Sequence, residues 1–416
     1  MSDIHTPTSV EEAIAAINAA RLAGSVVSVC GNRSKAQVGS PPGDNAIQLS
    51  SAGLSGIDQY NAQELVFVAK AGTPMSEINA ALAKNRQQLV FEPADWSRLL
   101  GTDQDQTIGG IAATNMSGPR RFVAGAARDS LLGVRFINGQ GEHIKNGGQV
   151  MKNVTGLDLV KLLGGSWGTL GMLTEVSFKV LPVSETSKTL CITGANDADA
   201  TKLMAAAMAT SCEVSGAAHL PADIVDDLGV TAPFDGSVTL LRLEGLAGSV
   251  ADRFNRLEAA LRQTPSGAKA AITELDDKKS TALWAAIRDV EAFVADQEKP
   301  VWRISVAPSA GHQLVAAVQA KTGARAFYDW QGGLVWLALD DADNAHAALV
   351  RGAVAATGGG HATLIRASAA LRATVPVFQP EPPAVHALNG RIRAAIDPDG
   401  LFHAARMSGP AQASAA

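Results

Sequence analysis

Cysteine and tyrosine are rare in this sequence, which limits the cofactors that it can bind by itself. Its 416 residues include three cysteines and two tyrosines. Cys30, Cys191 and Cys212 lie far apart, and no two of them follow a C-x-x-C spacing. A disulfide framework and a zinc or iron–sulfur site of the chain's own are therefore disfavoured, and we predict no metal site.

Long apolar runs and an excess of basic charge are also missing. No uninterrupted apolar stretch reaches the roughly 18 residues of a transmembrane helix. The polar start, Met1 to Thr8, lacks the basic and apolar regions of a signal peptide. The formal net charge of −5 gives no attraction to nucleic acid or to anionic lipid. We expect a cytoplasmic protein; peripheral association with the inner face of the cytoplasmic membrane through a partner complex stays open.

Two common nucleotide-binding motifs are absent as well. The sequence contains neither G-x-G-x-x-G nor G-x-x-x-x-G-K-[ST]. These absences weigh against a Rossmann domain and against a P-loop domain.

The N-terminal part of the chain reads as alternating helices and strands. Ser9 and Glu12 have the spacing of a capping box at the start of a helix. Buried strands are predicted over Val26–Cys30 and Leu65–Ala71. Thr73 is predicted to be the N-cap of the helix that follows the second strand.

A domain boundary is predicted at residues 182–187, where Pro182 ends an alternating strand. Beyond it, candidate strands are Val238–Leu243, Val301–Val306 and Leu334–Leu339, and candidate helices are Val250–Leu261, Ser280–Ala295 and Ala342–Ala356. We predict a first domain over residues 1–183 and a smaller α+β domain with an antiparallel sheet over residues 184–370. A C-terminal segment over residues 371–416, with a frayed tail, is predicted to return to the first domain.

Three glycine-rich segments carry the candidate binding chemistry, and the first follows a buried strand. Successive backbone N–H groups from Gly31 to Lys35 can form an anion nest that suits a pyrophosphate. Ser34 adds a hydroxyl donor, and Arg33 or Lys35 adds positive charge. The alternative is an ordinary turn from strand to loop.

The other two glycine-rich segments offer room for a flat ligand. Residues 107–118 have short polar side chains, although the same composition is typical of a flexible loop. Ile108, Ile111 and Met116 disfavour a disordered linker. Residues 164–175 contain four glycines that lead into a strand, which fits either a ring- or ribose-binding turn or a simple β-turn with a glycine bulge.

The order and spacing of these segments resemble a known flavoprotein family. The stretches SGPRR, VMKNVTGLDLVKLL and GTLGMLTEVSFKVLP resemble the FAD domain of the vanillyl-alcohol oxidase and p-cresol methylhydroxylase (PCMH) superfamily. More narrowly, they are similar to the FAD-binding subunits of glycolate oxidase, the shorter of that complex's two flavin-domain chains. The resemblance covers residues 26–182 closely and is thinner afterwards, where it rests on WRISV, YDWQGGLVWL and GGHATLIRA. It implies an α+β fold: a PCMH-type FAD-binding domain of two α+β subdomains, followed by a smaller α+β cap domain.

The resemblance also implies a set of FAD-binding residues. Gly31, Asn32, Arg33, Ser34 and Lys35 match the family's pyrophosphate loop, and Ala71, Gly72 and Thr73 match the turn beside the diphosphate. The segment beside the ribityl chain and isoalloxazine is matched by Pro93, Gly109, Gly110, Thr114, Asn115, Ser117 and Gly118, and the turn after it by Gly125 and Asp129. Gly168, Gly171 and Leu173 match the strand start that touches the adenosine half. Because no His lies in the pyrophosphate loop, and only Cys30 abuts it, we expect noncovalent FAD.

The sequence departs from related 2-hydroxy-acid dehydrogenases in two places. The family's C-terminal D-P-x-G-x-x-N-P-G-[KR] run is altered, with His403 in place of Asn, although Arg406 still fits. An H-x-x-G-D-G-N-x-H metal motif is absent, and a lone His361 stands in the corresponding region. Oxidation of a 2-hydroxy acid needs a base or metal for the hydroxyl and a cation for the carboxylate. Arg303 and Arg366 are candidate carboxylate ligands and His361 a candidate base; salt-bridge or loop roles are the alternative for each.

Three functions follow from these observations. The first is an FAD subunit of a complex that oxidises glycolate to glyoxylate, or that relays electrons from a second flavin-domain subunit to an iron–sulfur subunit. The second is an autonomous FAD oxidoreductase acting on a small hydroxy acid or alcohol. The third is a structural subunit that has lost its flavin, which the intact glycine positions disfavour.

Overall fold

The structure is a computed structural model that describes residues 4–149, 156–228, 234–340 and 343–409. Its first part contains strands β1 (Ile4–His5), β2 (Val27–Cys30), β3 (Ile47–Ser50), β4 (Ile57–Asn61), β5 (Val66–Lys70), β6 (Gln87–Gln88), β7 (Leu131–Ile137), β8 (His143–Gly147), β9 (Met172–Lys179) and β10 (Leu181–Pro182). Its helices there are α1 (Val10–Leu22), α2 (Met75–Ala83), α3 (Ile108–Thr114), α4 (Arg121–Ala124), α5 (Ala127–Ser130) and α6 (Leu159–Leu163).

Two main sheets divide this first part into two α+β layers. A parallel sheet has the strand order β1-β3-β2, and α1 packs its apolar face against it. A five-stranded antiparallel sheet has the order β4-β5-β9-β7-β8. A small β6–β10 pair lies beside these sheets. The predicted FAD-domain architecture of two α+β subdomains is confirmed.

The remaining described chain builds one large antiparallel sheet. Its strands are β11 (Thr186–Thr193), β12 (Gly216–Leu220), β13 (Val238–Gly245), β14 (Ala271–Leu275), β15 (Val301–Ser305), β16 (Ala324–Asp329), β17 (Leu334–Leu339) and β18 (His361–Arg366). The order across the sheet is β14-β11-β13-β12-β16-β17-β15-β18, with every neighbour antiparallel. β13 and β17 contain long runs of buried residues, because helices cover the sheet at these strands.

Helices cover this sheet and continue into the C-terminal segment. They are α7 (Asp197–Met208), α8 (Ala222–Val225), α9 (Ala247–Arg262), α10 (Asp277–Arg288), α11 (Gly311–Gln319), α12 (Ala347–Ala356), α13 (Ala369–Thr374), α14 (Pro383–Ile396) and α15 (Ala405–Ser408), with 3-10 turns at Glu291–Phe293 and Trp330–Gly332. None of the helices in the described ranges combines the length and the hydrophobicity that crossing a bilayer requires. The frayed tail predicted from residue 411 lies outside the described residues.

Two predicted helices begin or end differently in the structure. The helix predicted over Ser280–Ala295 stops at Arg288, because Val290 adopts a left-handed backbone conformation with φ of 61°. The helix predicted over Ala342–Ala356 begins at Ala347, after His346 with φ of 55°. The predicted start at residue 342 lies outside the described residues.

The N-terminal caps of α1 and α2 also differ from the prediction. Ser9 Oγ accepts a hydrogen bond from the Glu12 N–H, but the Glu12 carboxylate accepts from Thr8 instead of closing the box. Thr73 is not the N-cap of α2, a position that Pro74 takes. The Thr73 hydroxyl instead lies 2.7 Å from the Lys70 carbonyl oxygen and accepts from the Gly56 N–H at 2.9 Å. The hydroxyl therefore braces the turn after β5.

The C-terminal segment returns to the first parallel sheet. Val27 donates to the Leu401 carbonyl at 2.8 Å, and His403 donates to the Val27 carbonyl at 2.9 Å. These bonds form a parallel bridge between Val27 and Phe402. The His403 ring also contacts the Ser40 carbonyl oxygen at 3.0 Å. The local turn is thus built around His403.

Candidate functional site

A cavity with about 690 Å³ of empty volume lies where the three glycine-rich segments converge. Its lining comes from the end of β2, from α3 and from the turn before β9, with one residue from the C-terminal segment. The lining residues are Val29, Cys30, Gly31, Asn32, Arg33, Ser34, Lys35, Ala36, Ser51, Thr107, Gly109, Gly110, Ala113, Thr114, Ser166, Trp167, Gly168, Gly171, Leu173 and Arg406. We call this space the glycine-lined cavity.

The first segment gives the cavity a compact, positively charged wall. A Cβ on Gly31 would lie 2.2 Å from Thr107 Oγ1, so only glycine allows this close approach. Lys35 is buried, and its Nζ donates to the neutral Gln106 side chain. Burial lowers the pKa of the Lys35 ammonium to about 8, although the Asp95 carboxylate opposes this effect. A buried cation without an ion-pair partner among the described residues fits a ligand that carries negative charge.

The second segment forms a helix where the sequence predicted only a loop or an irregular binding segment. Thr107 caps α3, its Oγ1 accepting from the Gly110 N–H at 3.1 Å, and Asn115 ends the helix with φ of 50°. Gly109 must lack a side chain, because a Cβ there would lie 2.7 Å from the Ala71 carbonyl oxygen. The helix was missed because its two glycines have low helix propensity. The i, i+3 spacing of buried Ile108 and Ile111 behind a Thr cap was the available signal.

The third segment is tied to the second by the backbone of Trp167. The Trp167 N–H donates to the Ala113 carbonyl at 2.8 Å. Gly168 and Gly171 follow with φ of 75° and 147°, conformations that favour glycine. A Cβ on Gly171 would lie 2.7 Å from the Ile137 carbonyl oxygen. This turn therefore brings the start of β9 close to β7 while leaving the cavity open.

Arg406 of the C-terminal segment completes the wall. Its Nη1 donates to the Val29 carbonyl at 3.0 Å and to the Trp167 carbonyl at 3.2 Å. Burial lowers the pKa of this guanidinium, and the Cys30 thiol beside it opposes the shift. A second arginine of the returning segment, Arg372, donates to the Gly39 carbonyl at 2.9 Å. The return of the chain thus fastens the first glycine-rich segment to the third.

Eleven of the residues proposed from the sequence line this cavity. They are Gly31, Asn32, Arg33, Ser34, Lys35, Gly109, Gly110, Thr114, Gly168, Gly171 and Leu173. Nine further lining residues are not among the FAD residues that the resemblance implied, namely Val29, Cys30, Ala36, Ser51, Thr107, Ala113, Ser166, Trp167 and Arg406. Most of these are immediate neighbours of proposed residues, whereas Ser51 comes from the end of β3 and had no sequence signal of its own.

The other proposed FAD residues do not line the glycine-lined cavity, and several support the segments that do. Gly72 lets its turn approach the Ser51 carbonyl oxygen, which a Cβ would meet at 2.0 Å. Asn115 Oδ1 accepts from the Arg128 N–H, and Ser117 Oγ accepts from the Ala127 N–H, both at 2.9 Å. Ala71 and Thr73 belong to the same braced turn as Gly72. These residues shape the backbone behind the cavity.

The turn after α3 is shaped in the same way. Asp129 Oδ2 accepts from the Ala126 N–H at 2.8 Å, beside Gly125 with φ of 78°. A Cβ on Gly118 would lie 2.3 Å from the Glu92 carbonyl oxygen. Pro93, the neighbour of Glu92, lines a second and larger cavity. Gly118, Gly125 and Asp129 therefore fix the path of the chain after α3.

The second cavity has about 1770 Å³ of empty volume, and its main charges are already paired. Arg242 binds the Glu92 carboxylate with two hydrogen bonds of 2.8 and 2.9 Å, and Arg288 binds Asp289 at 2.7 Å. Burial alone would raise the pKa of Glu92, but Arg242 and the neighbouring arginines hold it below its usual value. The Arg242–Glu92 pair joins the first part of the chain to the large sheet, so these charges are not free to bind a ligand.

The three catalytic candidates occupy different surroundings. Arg366 is buried and donates to the Lys299, Phe293, Leu99 and Asp296 carbonyls, the first two at 3.0 and 2.7 Å. Its donors are thus used in holding backbone segments together. His361 is exposed at the start of β18, opposite Ser305 on β15. Neither residue lines the two cavities described above.

Arg303 stands in an unusual pair of like charges. Its guanidinium carbon lies 4.9 Å from the ring centroid of Trp330, and that of Arg121 lies 4.9 Å from the same centroid. The two charges are thus at most 9.8 Å apart, twice that distance. Among the described residues neither guanidinium has a carboxylate within 4 Å or a hydrogen-bond acceptor. Burial, together with Arg121, lowers the pKa of Arg303 to about 10. We call these three side chains the arginine pair and its tryptophan.

One member of the arginine pair, Arg121, lies close in sequence to a segment that lines the glycine-lined cavity. Arg121 begins α4, a few residues after α3, and the Trp330 Nε1 donates to the Gly118 carbonyl at 3.0 Å. Trp302, Trp330 and Trp336 are buried. Two unpaired cations of like charge repel each other in a partly desolvated place, and a bound anion would relieve that repulsion.

Residues 3–147 match the family described as "FAD binding domain". The chain is 31% identical over 383 residues to glycolate oxidase subunit GlcE of Escherichia coli (strain K12), a match that covers 91% of each chain. It is 32% identical over 168 residues to glycolate oxidase subunit GlcD of Bacillus subtilis (strain 168), covering 40% of this chain and 33% of that subunit. A solved structure of p-cresol methylhydroxylase with substrate bound has a TM-score of 0.71 at 11% identity, over 97% of this chain and 88% of that one, and so shares the fold.

The cavity and the relatives agree on the cofactor. The glycine-only backbone positions and the buried Lys35 ammonium fit a long dinucleotide with an anionic centre. FAD as the cofactor and an FAD-dependent oxidoreductase as the class of enzyme are confirmed. The chain belongs to the family of FAD-binding oxidoreductases that includes glycolate oxidase subunit GlcE.

Proposed function

We propose that this chain is the FAD-binding subunit of a glycolate-oxidising complex. Its match to GlcE over 91% of both chains supports this assignment. In the proposed complex the chain works beside a second flavin-domain subunit and an iron–sulfur subunit that carries the electrons onward. The complex is cytoplasmic or held on the inner face of the cytoplasmic membrane by its other subunits. Residues 184–370 act as the cap over FAD, and residues 371–416 return to the FAD domain.

The arginine pair is the observation that supports substrate oxidation by this chain. Arg303 comes from the large sheet and Arg121 from the segment after α3, so a ligand between them touches both parts of the chain. Guanidinium groups bind carboxylates with charge-assisted, often bidentate hydrogen bonds. We infer that the pair holds the carboxylate of a small 2-hydroxy acid such as glycolate. This favours oxidation in this chain over a pure electron-relay role.

Each group in the proposed site has a defined task. Oxidation of glycolate to glyoxylate removes a hydride from C2, for which FAD supplies the two-electron acceptor when it is bound, and a proton from the hydroxyl oxygen, which passes to solvent water. The arginine pair would orient the acid by its carboxylate and so hold C2 at a fixed place. Trp330, with its Nε1 fixed by the Gly118 carbonyl, keeps both guanidiniums on a rigid apolar surface.

The test uses anion binding and flavin reduction together. Oxalate, a non-oxidisable dicarboxylate, is titrated into the FAD-loaded chain while the visible flavin spectrum is recorded, and glycolate is then added without oxygen. We expect R303M and R121M to weaken oxalate binding by about 10- to 150-fold, the equivalent of roughly 1.5–3 kcal/mol for a lost charged hydrogen bond. Both variants should keep FAD.

The control is R256M, which removes an equal charge from an exposed position on α9. It should leave oxalate binding unchanged. Bleaching of the flavin by glycolate in the isolated wild-type chain supports oxidation here. Absence of bleaching, combined with unchanged oxalate binding in R303M, would refute substrate chemistry in this chain and leave electron relay.

The arginine pair equally favours a second candidate, an autonomous FAD oxidoreductase on a small hydroxy acid or alcohol. The two candidates differ in the need for partners. Steady turnover by the purified chain with an artificial electron acceptor supports the autonomous enzyme. Turnover that appears only after co-purification with a second flavin-domain chain and an iron–sulfur chain supports the complex. A colourless protein that takes up no added FAD would revive the structural-subunit alternative.

A further inference from the structure

Trp167 differs from the other tryptophans of this protein in its surroundings. Of the six tryptophans, five are buried, whereas Trp167 is partly exposed. It also lines the glycine-lined cavity, which none of the other five does. An aromatic side chain of this size normally gains most from complete burial. Its partial exposure at a cofactor cavity indicates that a ligand completes its packing.

The backbone of Trp167 is held in an unfavourable conformation. Its φ is 54°, in the left-handed region that bulky residues rarely adopt. Two hydrogen bonds fix it there: its N–H donates to the Ala113 carbonyl at 2.8 Å, and its carbonyl accepts from Arg406 at 3.2 Å. Because such conformations cost energy, they persist where the surrounding structure or a function requires them. A glycine at this position would adopt the same conformation at no such cost.

The indole ring is braced on one side. Phe378, which follows α13, meets the Trp167 ring edge to face, with ring centroids 5.3 Å apart and an interplanar angle of 70°. The Phe378 carbonyl accepts from Arg351, which holds that segment in place at 3.2 Å. A braced aromatic ring at a cavity wall is a ready surface for stacking another flat ring.

FAD contains two flat aromatic rings, adenine and isoalloxazine. We propose that the indole of Trp167 stacks against one of the rings of FAD and thereby sets a large part of the cofactor's affinity. The proposal depends on FAD binding, which the family establishes, and not on glycolate or on the partner subunits. This role explains the left-handed backbone of Trp167, because that conformation turns the indole toward the glycine-lined cavity. The turn lies where the second and third glycine-rich segments are hydrogen-bonded to each other.

The test separates the ring from the backbone conformation. FAD is removed, and the dissociation constant for added FAD is measured by flavin fluorescence for wild type, W167F, W167L and W167G. Glycine adopts a φ of 54° without strain, so W167G removes the ring and also relieves the backbone. W167F keeps an aromatic face, and W167L keeps apolar bulk without one.

We expect W167F to bind FAD within about threefold of wild type, and W167L and W167G to bind it about tenfold or more weakly, as for loss of a base-stacking aromatic residue. Thermal unfolding of each FAD-free variant checks that the chain is folded. Retention of wild-type affinity in folded W167L or W167G overturns the proposal. So does equal weakening in W167F and W167L, because only bulk or fit would then matter.

A second titration with FMN identifies the ring. FMN carries the isoalloxazine but lacks adenine. Weaker FAD binding with unchanged FMN binding in W167G assigns the stack to adenine. Weaker binding of both flavins assigns it to the isoalloxazine, and the flavin fluorescence of the complex should then rise in W167G because the quenching indole is gone. FMN weakened while FAD is unaffected would contradict a stacking role.

Discussion

Lys35 offers the sharpest test of how the glycine-lined cavity recognises FAD. Its ammonium is buried in the first glycine-rich segment, and its hydrogen-bond acceptor among the described residues is the neutral Gln106 side chain. The substitution K35M keeps an apolar chain of similar length and removes the charge. We predict that K35M loses affinity for FAD because the cofactor's diphosphate loses a desolvated cation.

The size of the effect follows from the burial of the group. A hydrogen bond to a charged group contributes about 1.5–3 kcal/mol. Since about 1.4 kcal/mol corresponds to tenfold in a dissociation constant, K35M should bind FAD about 10- to 150-fold more weakly than wild type. The exposed Lys84 at the end of α2 supplies a matched control, and K84M should bind FAD as wild type does.

The same residue makes FAD binding depend on pH. In the FAD-free chain the pKa of Lys35 is lowered to about 8 by burial, so the ammonium is fully charged only well below that pH. The diphosphate raises this pKa once FAD is bound, because an anion stabilises the charged form. Affinity is therefore complete well below pH 8 and falls as pH rises through it, by up to about tenfold per unit until the pKa of the bound form is passed.

The assay is a titration of FAD-free protein with FAD at pH values from about 6.5 to 9.5, read by flavin fluorescence, in a range that spans the lowered pKa. Wild type should weaken above pH 8, whereas K35M should show no such change because it has no proton to lose at this place. A K35M variant that binds FAD within threefold of wild type at pH 7 would show that Lys35 does not meet the diphosphate. A flat wild-type profile would refute the lowered pKa.

Three further predictions concern the frame around the cavity. G109A should destabilise the FAD-free chain by about 1–3 kcal/mol in urea unfolding, because its Cβ would lie 2.7 Å from a carbonyl oxygen, whereas G110A, with its nearest contact at 3.1 Å, should cost less. E92A should cost about 1.5–3 kcal/mol, because the buried Arg242 loses its two hydrogen bonds to Glu92 and keeps only Glu244 at 3.2 Å, while E291A, which removes a partly exposed ion pair, should cost under about 1 kcal/mol; equal effects of the two would contradict this. R406M should release the C-terminal segment and weaken FAD binding. Limited proteolysis would detect the release as faster cleavage after residue 396. Unchanged cleavage and unchanged FAD affinity would show that other contacts hold the segment.

Some elements could be predicted from the sequence because their signals are local. The strand of the large sheet at Leu334–Leu339 follows from a continuous apolar run, and the strand predicted over Val238–Leu243 extends in the structure to Gly245. The positions of the glycines in the turn before β9 follow from the need for positive φ. Helix α3 was missed because its helical form depends on Gly109 packing against Ala71, a contact with the end of β5 that local propensity does not contain.

The sequence by itself determined the class of cofactor. Each glycine-rich segment taken alone also fits an ordinary turn or loop, and FAD was indicated by their order and spacing, through the resemblance to the FAD domains of a known flavoprotein family. The resemblance to FAD-binding oxidoreductases rested on these same residues. The tertiary structure alone decided which glycines line the cavity and which hold the chain behind it, since that depends on what packs opposite each one.

Tertiary packing also decided where the unpaired charge lies. Nothing in the sequence places Arg121 beside Arg303, and only the folded chain brings both guanidiniums onto Trp330. The folded chain likewise uses the donors of Arg366 on backbone carbonyls and brings Arg406 to the cavity from the C-terminal segment. The physical reason is that charge pairing and burial depend on distances in space. Side chains that are remote in sequence come close only when the two parts of the chain pack together.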